Sequence, residues 1–342
     1  MIRAEAYVAL LAALAVGLTF LPARHGDAGA QSAQQPSAIK IGLVFDVGGR
    51  GDKSFNDAAF TGLLRAKKEL GVETAYLEPT GSEDREAALR LFAARGMDLV
   101  IGVGFIFSSD VNAVARAYPN VHFACIDYSP DDQGPPPNVA GLVFREEEGS
   151  FLVGAVAGLM SKTKHVGFVG GMTIPLIRKF EAGYGAGVTA ACPECVVHSA
   201  YAGATPDAFK DPARGKTLAI SEIQAGADVL FHASGSTGHG VFEGAHDAHV
   251  MAIGVDSDQH DEMPDTVITS MTKGVDVAVF DTIKSAKDGQ FVGGMRTFGL
   301  KEDGIDYVHE GPHAGRIPDD VKAKIALLRK DVVSGKIVVP SN

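Results

Sequence analysis

The sequence predicts an α/β protein with two similar lobes, each a series of strand–helix–strand units around a parallel sheet. Two observations carry this prediction. Short apolar runs alternate with amphipathic stretches from residue 40 onward, and the alternation restarts after a loop at 131–138 that is rich in Asp, Gly and Pro. The chain also has 342 residues, enough for about two domains of ~150 residues each.

The first lobe opens with a predicted strand at 40–45, whose apolar run ends on Asp46. A glycine-rich loop follows, and Ser54 begins an amphipathic helix at 54–71 with its apolar residues on one face. Gly71 is expected to end this helix as a C-cap. The other predicted elements are strands at 73–77, 98–103, 121–127 and 139–144, a helix at 82–95 capped by Ser82, and a helix at 109–117.

The same pattern continues after the loop. The predicted strands are 166–170, 196–201, 229–232, 250–254 and 266–271. The predicted helices are 146–160, 176–191, 210–226, one that ends near residue 248, and 275–288, which is the last predicted element.

Composition and the N-terminal segment indicate a folded, exported protein. A net charge of −11 argues against nucleic acid or an anionic membrane as a partner, and 46% hydrophobic residues argue against disorder. Arg3, an apolar run at 7–21 and Ala28-Gly29-Ala30 predict a cleaved signal peptide over 1–30, followed by a disordered lead-in at 31–38. Because no cysteine follows this run to accept a lipid, we expect a periplasmic protein that is not a lipoprotein.

Polar and aromatic side chains follow several predicted strands. Asp46, Asp127 and Asp256 each end an apolar strand, Phe105 follows another, and a glycine loop at 235–240 follows a fifth. In open α/β sheets, ligands bind at the carboxyl ends of the strands. These residues are therefore expected to line one cleft between the lobes.

The loop after the first strand favours a flat, polar ligand. Asp46, Asp52 and Asn56 offer hydrogen-bonding groups, and Phe55 offers an aromatic face. The run at 48–54 resembles a phosphate-binding loop only superficially, because it lacks the G-x-x-x-x-G-K-[ST] spacing. Its carboxylates would also repel an anion. Neutral ligands with donor groups, such as sugars, nucleosides or amides, fit better.

Motifs for catalysis and for metal binding are incomplete. No G-x-S-x-G elbow occurs, His246 and His249 have no recognisable third ligand, and the run at 256–261 lacks the glycine and the glutamate of a calcium loop. We therefore expect neither enzyme activity, nor a cofactor, nor a metal.

The three cysteines have different surroundings. Cys192-Pro-Glu-Cys195 fits a redox motif, half a zinc site or a local disulfide, and the disulfide suits an exported protein. Cys125 lies in an apolar run and is expected to be a buried thiol.

Several stretches together resemble the basic membrane protein (BMP) family, nucleoside-binding substrate-binding proteins of ABC importers. They appear in family order and cover most of the chain after residue 38. They are Phe-Asp-Val-Gly-Gly-Arg-Gly-Asp-Lys-Ser-Phe-Asn (45–56), Gly-Val-Gly-Phe (102–105), Ile-Asp (126–127), Glu-Glu-Gly-Ser-Phe-Leu-Val-Gly (147–154), Gly-Phe-Val-Gly-Gly-Met (167–172), Phe-Glu-Ala-Gly-Tyr (180–184), Gly-Ser-Thr-Gly-His-Gly-Val-Phe (235–242), Gly-Val-Asp-Ser-Asp-Gln (254–259) and Thr-Ser-Met-Thr-Lys (269–273).

The resemblance implies a type I periplasmic-binding-protein fold: two Rossmann-like lobes joined by a three-strand hinge that close on a ligand. The chain would cross between lobes near Val143, Met271 and Gly293. The N-terminal lobe would comprise 39–143 plus 272–293, and the C-terminal lobe 144–271 plus 294–342. Many family members are lipoproteins, and this chain lacks the lipid-acceptor cysteine.

The resemblance also implies a role for each site residue. Phe55 and Phe180 would sandwich a purine-like base, and Asp46, Asn56 and Asp127 would contact its polar edges. Asp256 and Lys273, with the loop at Gly235, would hold ribose hydroxyls. A surface lysine at the start of a helix is the alternative for Lys273.

The function implied is capture of a nucleoside, most simply a purine nucleoside, for an ABC transporter membrane permease. A flavin or sugar receptor of the same fold and a nucleoside-processing enzyme are the alternatives. The protein is expected to be monomeric and to bind no nucleic acid.

Overall fold

The computed structural model describes residues 38–79 and 84–342. The strands in these residues are β1 (Lys40–Val44), β2 (Glu73–Leu77), β3 (Leu99–Val103), β4 (His122–Ile126), β5 (Val139–Phe144), β6 (His165–Met172), β7 (Val196–Gly203), β8 (Val229–Ala233), β9 (Met251–Asp256), β10 (Val267–Lys273), β11 (Gly294–Phe298) and β12 (Ile305–Tyr307). They form two six-stranded sheets, in the orders β11-β5-β4-β3-β1-β2 and β12-β10-β9-β8-β6-β7. Neighbouring strands are parallel except for β10 and β12, which are antiparallel.

Helices cover the faces of these sheets, as buried parallel strands require. The α-helices in the described residues are α1 (Phe55–Leu70), α2 (Asp84–Ala94), α3 (Ser108–Ala117), α4 (Glu146–Met160), α5 (Pro175–Ala191), α6 (Pro212–Gln224), α7 (Thr237–Asp247), α8 (Val275–Lys287) and α9 (Asp319–Val333).

Most predicted elements agree with the structure, and some agree at both ends. β5 and α4 have the predicted bounds, and α1 ends at Leu70. Gly71 follows it in a left-handed conformation with φ 67°, which confirms the predicted C-cap. The predicted helix at 210–226 is shorter: a 3₁₀ turn at Pro206–Phe209 comes first, and α6 begins at Pro212.

The elements after residue 288 were not predicted. β12 has only three residues, too few to show a hydrophobic period. The sequence did contain the start signal of α9, because Pro318 and two aspartates precede apolar residues at helical spacing. Of these, Val321, Ile325 and Val332 are buried.

Each side of the first sheet packs on its own pair of helices. Val44 belongs to a hydrophobic cluster with Phe92 of α2 and Val111 of α3. Leu43, its neighbour in β1, belongs to the cluster that includes Leu63 of α1 and residues of α8. This alternation is the two-residue period of a strand that is buried on both faces.

On one face of the second sheet, α4 and α5 pack with their backbones in close approach. A Cβ atom placed on Gly187 would lie 1.9 Å from the carbonyl oxygen of Phe151. One placed on Gly154 would lie 2.1 Å from the carbonyl oxygen of Tyr184. Glycine is therefore required on both helices at this crossing.

The chain passes between the two sheets three times. It leaves the first sheet after β5, returns after β10 through α8, and leaves again after β11. The crossing predicted near Gly293 is wrong, because β11 pairs with β5 in the first sheet, from Gly294 opposite Ala140 to Phe298 opposite Phe144. The final segment of the second lobe therefore begins after Phe298 and not at residue 294.

Some predictions fall outside the described residues. They are the signal peptide at 1–30, the lead-in at 31–38 except its last residue, and the helix cap at Ser82. Among the residues that the structure describes, no helix combines the length and the apolar character that crossing a membrane needs.

Candidate functional site

A cavity lies between the two sheets, where strands of both lobes end. All of the predicted site residues line it: Asp46, Phe55, Asn56, Asp127, Phe180, Gly235, Asp256 and Lys273. Asp52, Phe105, Leu176, Ile177, Phe209 and Ser234 are among the other lining residues. The structure thus brings together side chains that are up to about 230 positions apart in the sequence.

Two of the strand-end aspartates adopt an unusual backbone conformation. Asp127, directly after β4, has φ 58°, and Asp256, at the end of β9, has φ 65°. Aspartate tolerates the left-handed region better than most residues, because its short side chain can hydrogen-bond locally. Both carboxylates line the cavity. Backbone outliers of this kind cluster at functional sites.

Asp52 organises the loop between β1 and α1. Its carboxylate accepts hydrogen bonds from the backbone N–H groups of Ser54, Asn56 and Asp57 at 3.0, 2.9 and 3.1 Å. It also accepts one from Nδ2 of Asn56 at 3.0 Å. Asp52 therefore caps the start of α1 and is not available as a free acceptor for a ligand.

Lys273 lies at the centre of a buried ion-pair network. Its Nζ is 2.6 Å from Oδ1 of Asp127 and 3.0 Å from Oε1 of Glu146. The other oxygen of Glu146 is 3.0 Å from Nζ of Lys179. Since only 2% of Lys273 is exposed, the alternative of a surface lysine is wrong.

Aromatic rings surround the same ammonium group. Nζ of Lys273 lies 5.1 Å from the ring centroid of Phe55, 4.9 Å from that of Phe144 and 5.8 Å from that of Phe180. Cation–π attraction adds to the ion pairs and holds the group in place. Phe55 and Phe180, the two predicted stacking residues, therefore approach a common point from different lobes.

Burial dominates the pKa values of the carboxyl groups that line the cavity. Burial raises the pKa of Asp46 to about 7, and it raises the pKa of Asp127 to about 6 although Lys273 opposes this shift. Burial also raises the pKa of Asp52 and of Asp256. Burial disfavours the charge of Lys273, but Asp127, Glu146 and Asp256 outweigh it and raise its pKa. Such a site favours ligands that donate hydrogen bonds and disfavours anions.

Contacts across the cavity join the two lobes. Oγ of Ser54 donates its proton to Oδ2 of Asp256 at 2.6 Å and also lies 3.2 Å from the carbonyl oxygen of Val255. Ser54 precedes α1 but makes no side-chain capping bond there. Elsewhere on the cavity wall, the rings of Phe105 and Phe209 meet edge to face with centroids 6.4 Å apart.

Comparison with known proteins assigns the chain to a family. The profile of the Bmp family, described as ABC transporter substrate-binding protein PnrA-like, matches residues 39–342. The chain belongs to the Bmp family. A relative from Lactococcus lactis, named ABC transporter nucleoside-binding protein BmpA, is 31% identical over 340 residues and 93% of each chain. A protein named as a lipoprotein in Pyrococcus horikoshii is 37% identical over 292 residues, which are 82% of this chain and 72% of that one.

Solved structures agree with this membership in the Bmp family. A solute-binding protein of an ABC transporter system from Aeropyrum pernix K1 superposes with a TM-score of 0.80 at 31% identity, over 89% of this chain and 94% of that one. The predicted type I periplasmic-binding-protein fold is confirmed. As a member of this family, the chain is an ABC transporter substrate-binding protein.

Among the residues of this Bmp-family site that were not predicted are Glu146, which contacts the lining residue Lys273, and Phe209, which lines the cavity. Glu146 is one of three glutamates in the first turn of α4, where acidic residues are common because they favour the helix dipole. Nothing in the local sequence separates it from its neighbours. Phe209 lies in a short 3₁₀ turn without a recognisable motif, and only the tertiary structure brings it to the cavity.

None of the three cysteines of this family member lines the cavity, although Sγ of Cys125 lies 3.5 Å from the carbonyl oxygen of the lining residue Gly104. Cys192 and Cys195 form a disulfide at the end of α5. Of the redox motif, the half zinc site and the local disulfide that the sequence left open, the structure contains the local disulfide. Cys125 is fully buried and its thiol pKa is raised by burial, as expected for a core residue. Among the described residues, no three His, Cys, Asp or Glu side chains are arranged to hold a metal ion.

Proposed function

We propose that this Bmp-family protein captures a purine nucleoside between its lobes and delivers it to the membrane permease of an ABC importer. The observation that carries the proposal is the meeting of two phenyl rings from opposite lobes with carboxylate and amide groups in one cavity. Phenyl rings stack on flat bases, and carboxylates accept hydrogen bonds from base N–H and ribose hydroxyl groups. The name of the lactococcal relative supports the same ligand class.

Each group has a proposed role. Phe55 and Phe180 sandwich the base, while Asp46, Asn56 and Asp127 contact its polar edges. The ribose hydroxyls lie with Asp256, Lys273 and the loop at Gly235. Lys273 already has two carboxylate partners, so it serves both to orient Asp127 and to donate to the ligand.

Closure of the hinge completes the site. The cavity is lined by both lobes, so a nucleoside contacts both and stabilises the closed arrangement over the open one. No bond of the ligand is broken. A nucleoside-processing activity would release free base, which chromatography of an incubation with adenosine, inosine or guanosine would detect.

The proposed location is the periplasm, after cleavage of the N-terminal segment. Some relatives are named lipoproteins, so the intact mass of the exported protein is the test. The mass of a chain cut after residue 30 would support the proposal, and the mass of the uncut chain would contradict it.

Thermal unfolding with a ligand panel tests the nucleoside. A ligand of the native state stabilises it by ~2.7 kcal/mol at a hundredfold excess over its dissociation constant. We expect purine nucleosides to raise the midpoint, nucleoside monophosphates to raise it less because of the carboxylates, and ribose or glucose to leave it unchanged. Midpoint shifts with riboflavin or a sugar alone would contradict the proposal of a nucleoside ligand. Mass spectrometry of the denatured protein would reveal any ligand carried through purification.

A further inference from the structure

The amide of Asn56 is held in one orientation from both sides. Its Oδ1 accepts the backbone N–H of Asp46 at 3.1 Å, and its Nδ2 donates to Oδ2 of Asp52 at 3.0 Å. A flipped amide would place its oxygen against the carboxylate of Asp52 and its NH₂ against the N–H of Asp46. Both contacts would then be repulsive, so the network assigns the orientation.

This orientation decides what the cavity offers to a ligand. The carbonyl oxygen of Asn56 is used by the backbone, and one N–H of Nδ2 is used by Asp52. Among the residues that the structure describes, none accepts the second N–H, and Asn56 lines the cavity although only 4% of it is exposed. Asn56 therefore has a free N–H to donate to a ligand, while its carbonyl oxygen already accepts a hydrogen bond from the backbone.

Asp52 is itself fixed and cannot turn away. Both of its oxygens are engaged, one by Ser54 and Asp57 and the other by the backbone and side chain of Asn56. Only 2% of Asp52 is exposed. The Asp52 carboxylate thus holds the Asn56 side chain in a fixed position relative to the start of α1.

We propose that Asp52 is a positioning residue that holds the Asn56 amide with an N–H toward the cavity, so that the ligand must present a hydrogen-bond acceptor there. The inference rests on the proposed nucleoside function and narrows it. On adenine, the ring nitrogens N1, N3 and N7 are such acceptors, and Asp46 lies beside Asn56 to pair with a neighbouring group.

The test compares adenosine with its 1-deaza, 3-deaza and 7-deaza analogues, each of which replaces one ring nitrogen by C–H. We expect one analogue to bind the natural protein about tenfold more weakly than adenosine, as for the loss of one hydrogen bond. In Asp52→Ala only the backbone N–H of Asp46 still orients the amide, so the Asn56 N–H points less firmly at the ring nitrogen and the ratio between adenosine and that analogue should shrink toward one. Because both ligands are measured on the same protein, partial unfolding of a variant does not change the ratio.

Asp57→Asn is the matched control. The Asp57 carboxylate accepts from the N–H groups of Gly51 and Lys53 at 2.8 and 3.1 Å in the same loop, but it does not contact Asn56. This variant should keep the ratio of the natural protein, and Asn56→Ala should abolish it. Equal binding of all the analogues by the natural protein, or an unchanged ratio in Asp52→Ala, would overturn the inference.

A second measurement separates this inference from the proposed function. Nuclear magnetic resonance of the ligand-free protein should find a side-chain amide signal of Asn56 protected from exchange, and the protection should be lost in Asp52→Ala and kept in Asp57→Asn. If no nucleoside binds, the proposed function fails while this readout still decides whether Asp52 fixes the amide. A freely exchanging amide in the natural protein would overturn the positioning role even if nucleosides bind.

Discussion

At the scale of single residues, burial decides between alternatives that the sequence leaves open. Lys273 follows an apolar strand and precedes a helix, a position equally suited to a solvent-exposed lysine. In the structure its ammonium group is enclosed by Asp127, Glu146 and three phenyl rings. Removing one partner of such a buried pair leaves the other charge uncompensated. The lysine and its carboxylates therefore depend on one another.

Phe180 gives a prediction about stacking. Replacement by Ala should weaken binding of a purine nucleoside by ~1–3 kcal/mol, the usual contribution of an aromatic ring under a base. Phe180→Leu keeps most of the buried volume but removes the aromatic face, so it should show most of the same loss. Isothermal titration of both variants measures it. Phe291→Leu, which removes a ring stacked on His122 outside the cavity lining, is the control, and an equal loss there would contradict the assignment.

Glu222 gives a prediction about pH. It is 4% exposed, neither of its carboxylate oxygens has a partner among the described residues, and burial raises its pKa to about 9. The folded chain therefore holds a proton that the unfolded chain releases near the ordinary glutamate pKa. Unfolded protein binds fewer protons between these values, so the free energy of unfolding falls as the pH rises, by at most ~1.4 kcal/mol per pH unit.

Urea unfolding at pH 7.5 and at pH 9 checks this sign. Asp46 and Asp127 have raised pKa values of about 7 and about 6, so most of their effect lies below this window. The natural protein should lose stability between the two pH values, and Glu222→Gln should lose less. Glu243→Gln, an exposed position on α7, should behave like the natural protein. Equal slopes in all three proteins would mean that Glu222 is ionised when folded.

At the scale of elements, the pairing of α4 and α5 depends on glycines. Gly187→Ala should lower the free energy of unfolding by ~1–3 kcal/mol, because its Cβ would overlap the carbonyl oxygen of Phe151. Gly185→Ala, in the same helix, meets nothing within 4 Å and should stabilise by up to ~1 kcal/mol through helix propensity. Chemical denaturation of both measures the difference. Equal effects would mean that the two helices can move apart freely.

Elements with strong periodicity could be predicted from the sequence, and those defined by distant partners could not. β5 and α4 were predicted at both ends because apolar runs and their flanking polar residues mark them. β11 has partly exposed residues throughout and becomes a strand by pairing with β5. Its sheet membership, and with it the position of the last crossing, follows from a partner about 150 residues away in the sequence.

The site residues also fall into those that could be predicted from the sequence and those that could not. Asp46, Asp127 and Asp256 could be placed in it because the ends of parallel strands meet at one edge of a sheet. The two phenylalanines proposed to stack on the base were assigned by family resemblance, and both line the cavity. Ser54 was expected to begin α1, and that position is correct. Its hydroxyl, however, reaches across to Asp256, which no local pattern in the sequence could indicate.

At the scale of the whole molecule, polar and aromatic contacts join the two lobes. Ser54 of the first lobe bonds Asp256 of the second, and Oγ of Ser257 donates to the carbonyl oxygen of Ser54 at 3.3 Å. The phenyl rings of Phe105 and Phe209 meet across the cavity from the two lobes. If the lobes open as we propose, these contacts would break together.

Ser54→Ala tests whether these contacts contribute to ligand capture. The bond from Ser54 to the Asp256 carboxylate spans the lobes, so its loss should destabilise the closed form and leave each lobe intact. A hydrogen bond to a charged group contributes ~1.5–3 kcal/mol, so nucleoside affinity should fall by about ten- to a hundredfold, chiefly through faster dissociation.

Ser285→Ala, which removes a hydroxyl bond within α8, is the control. Stopped-flow dissociation together with small-angle scattering, with and without nucleoside, measures both effects. Unchanged dissociation with normal compaction would mean that the ligand alone holds the lobes closed.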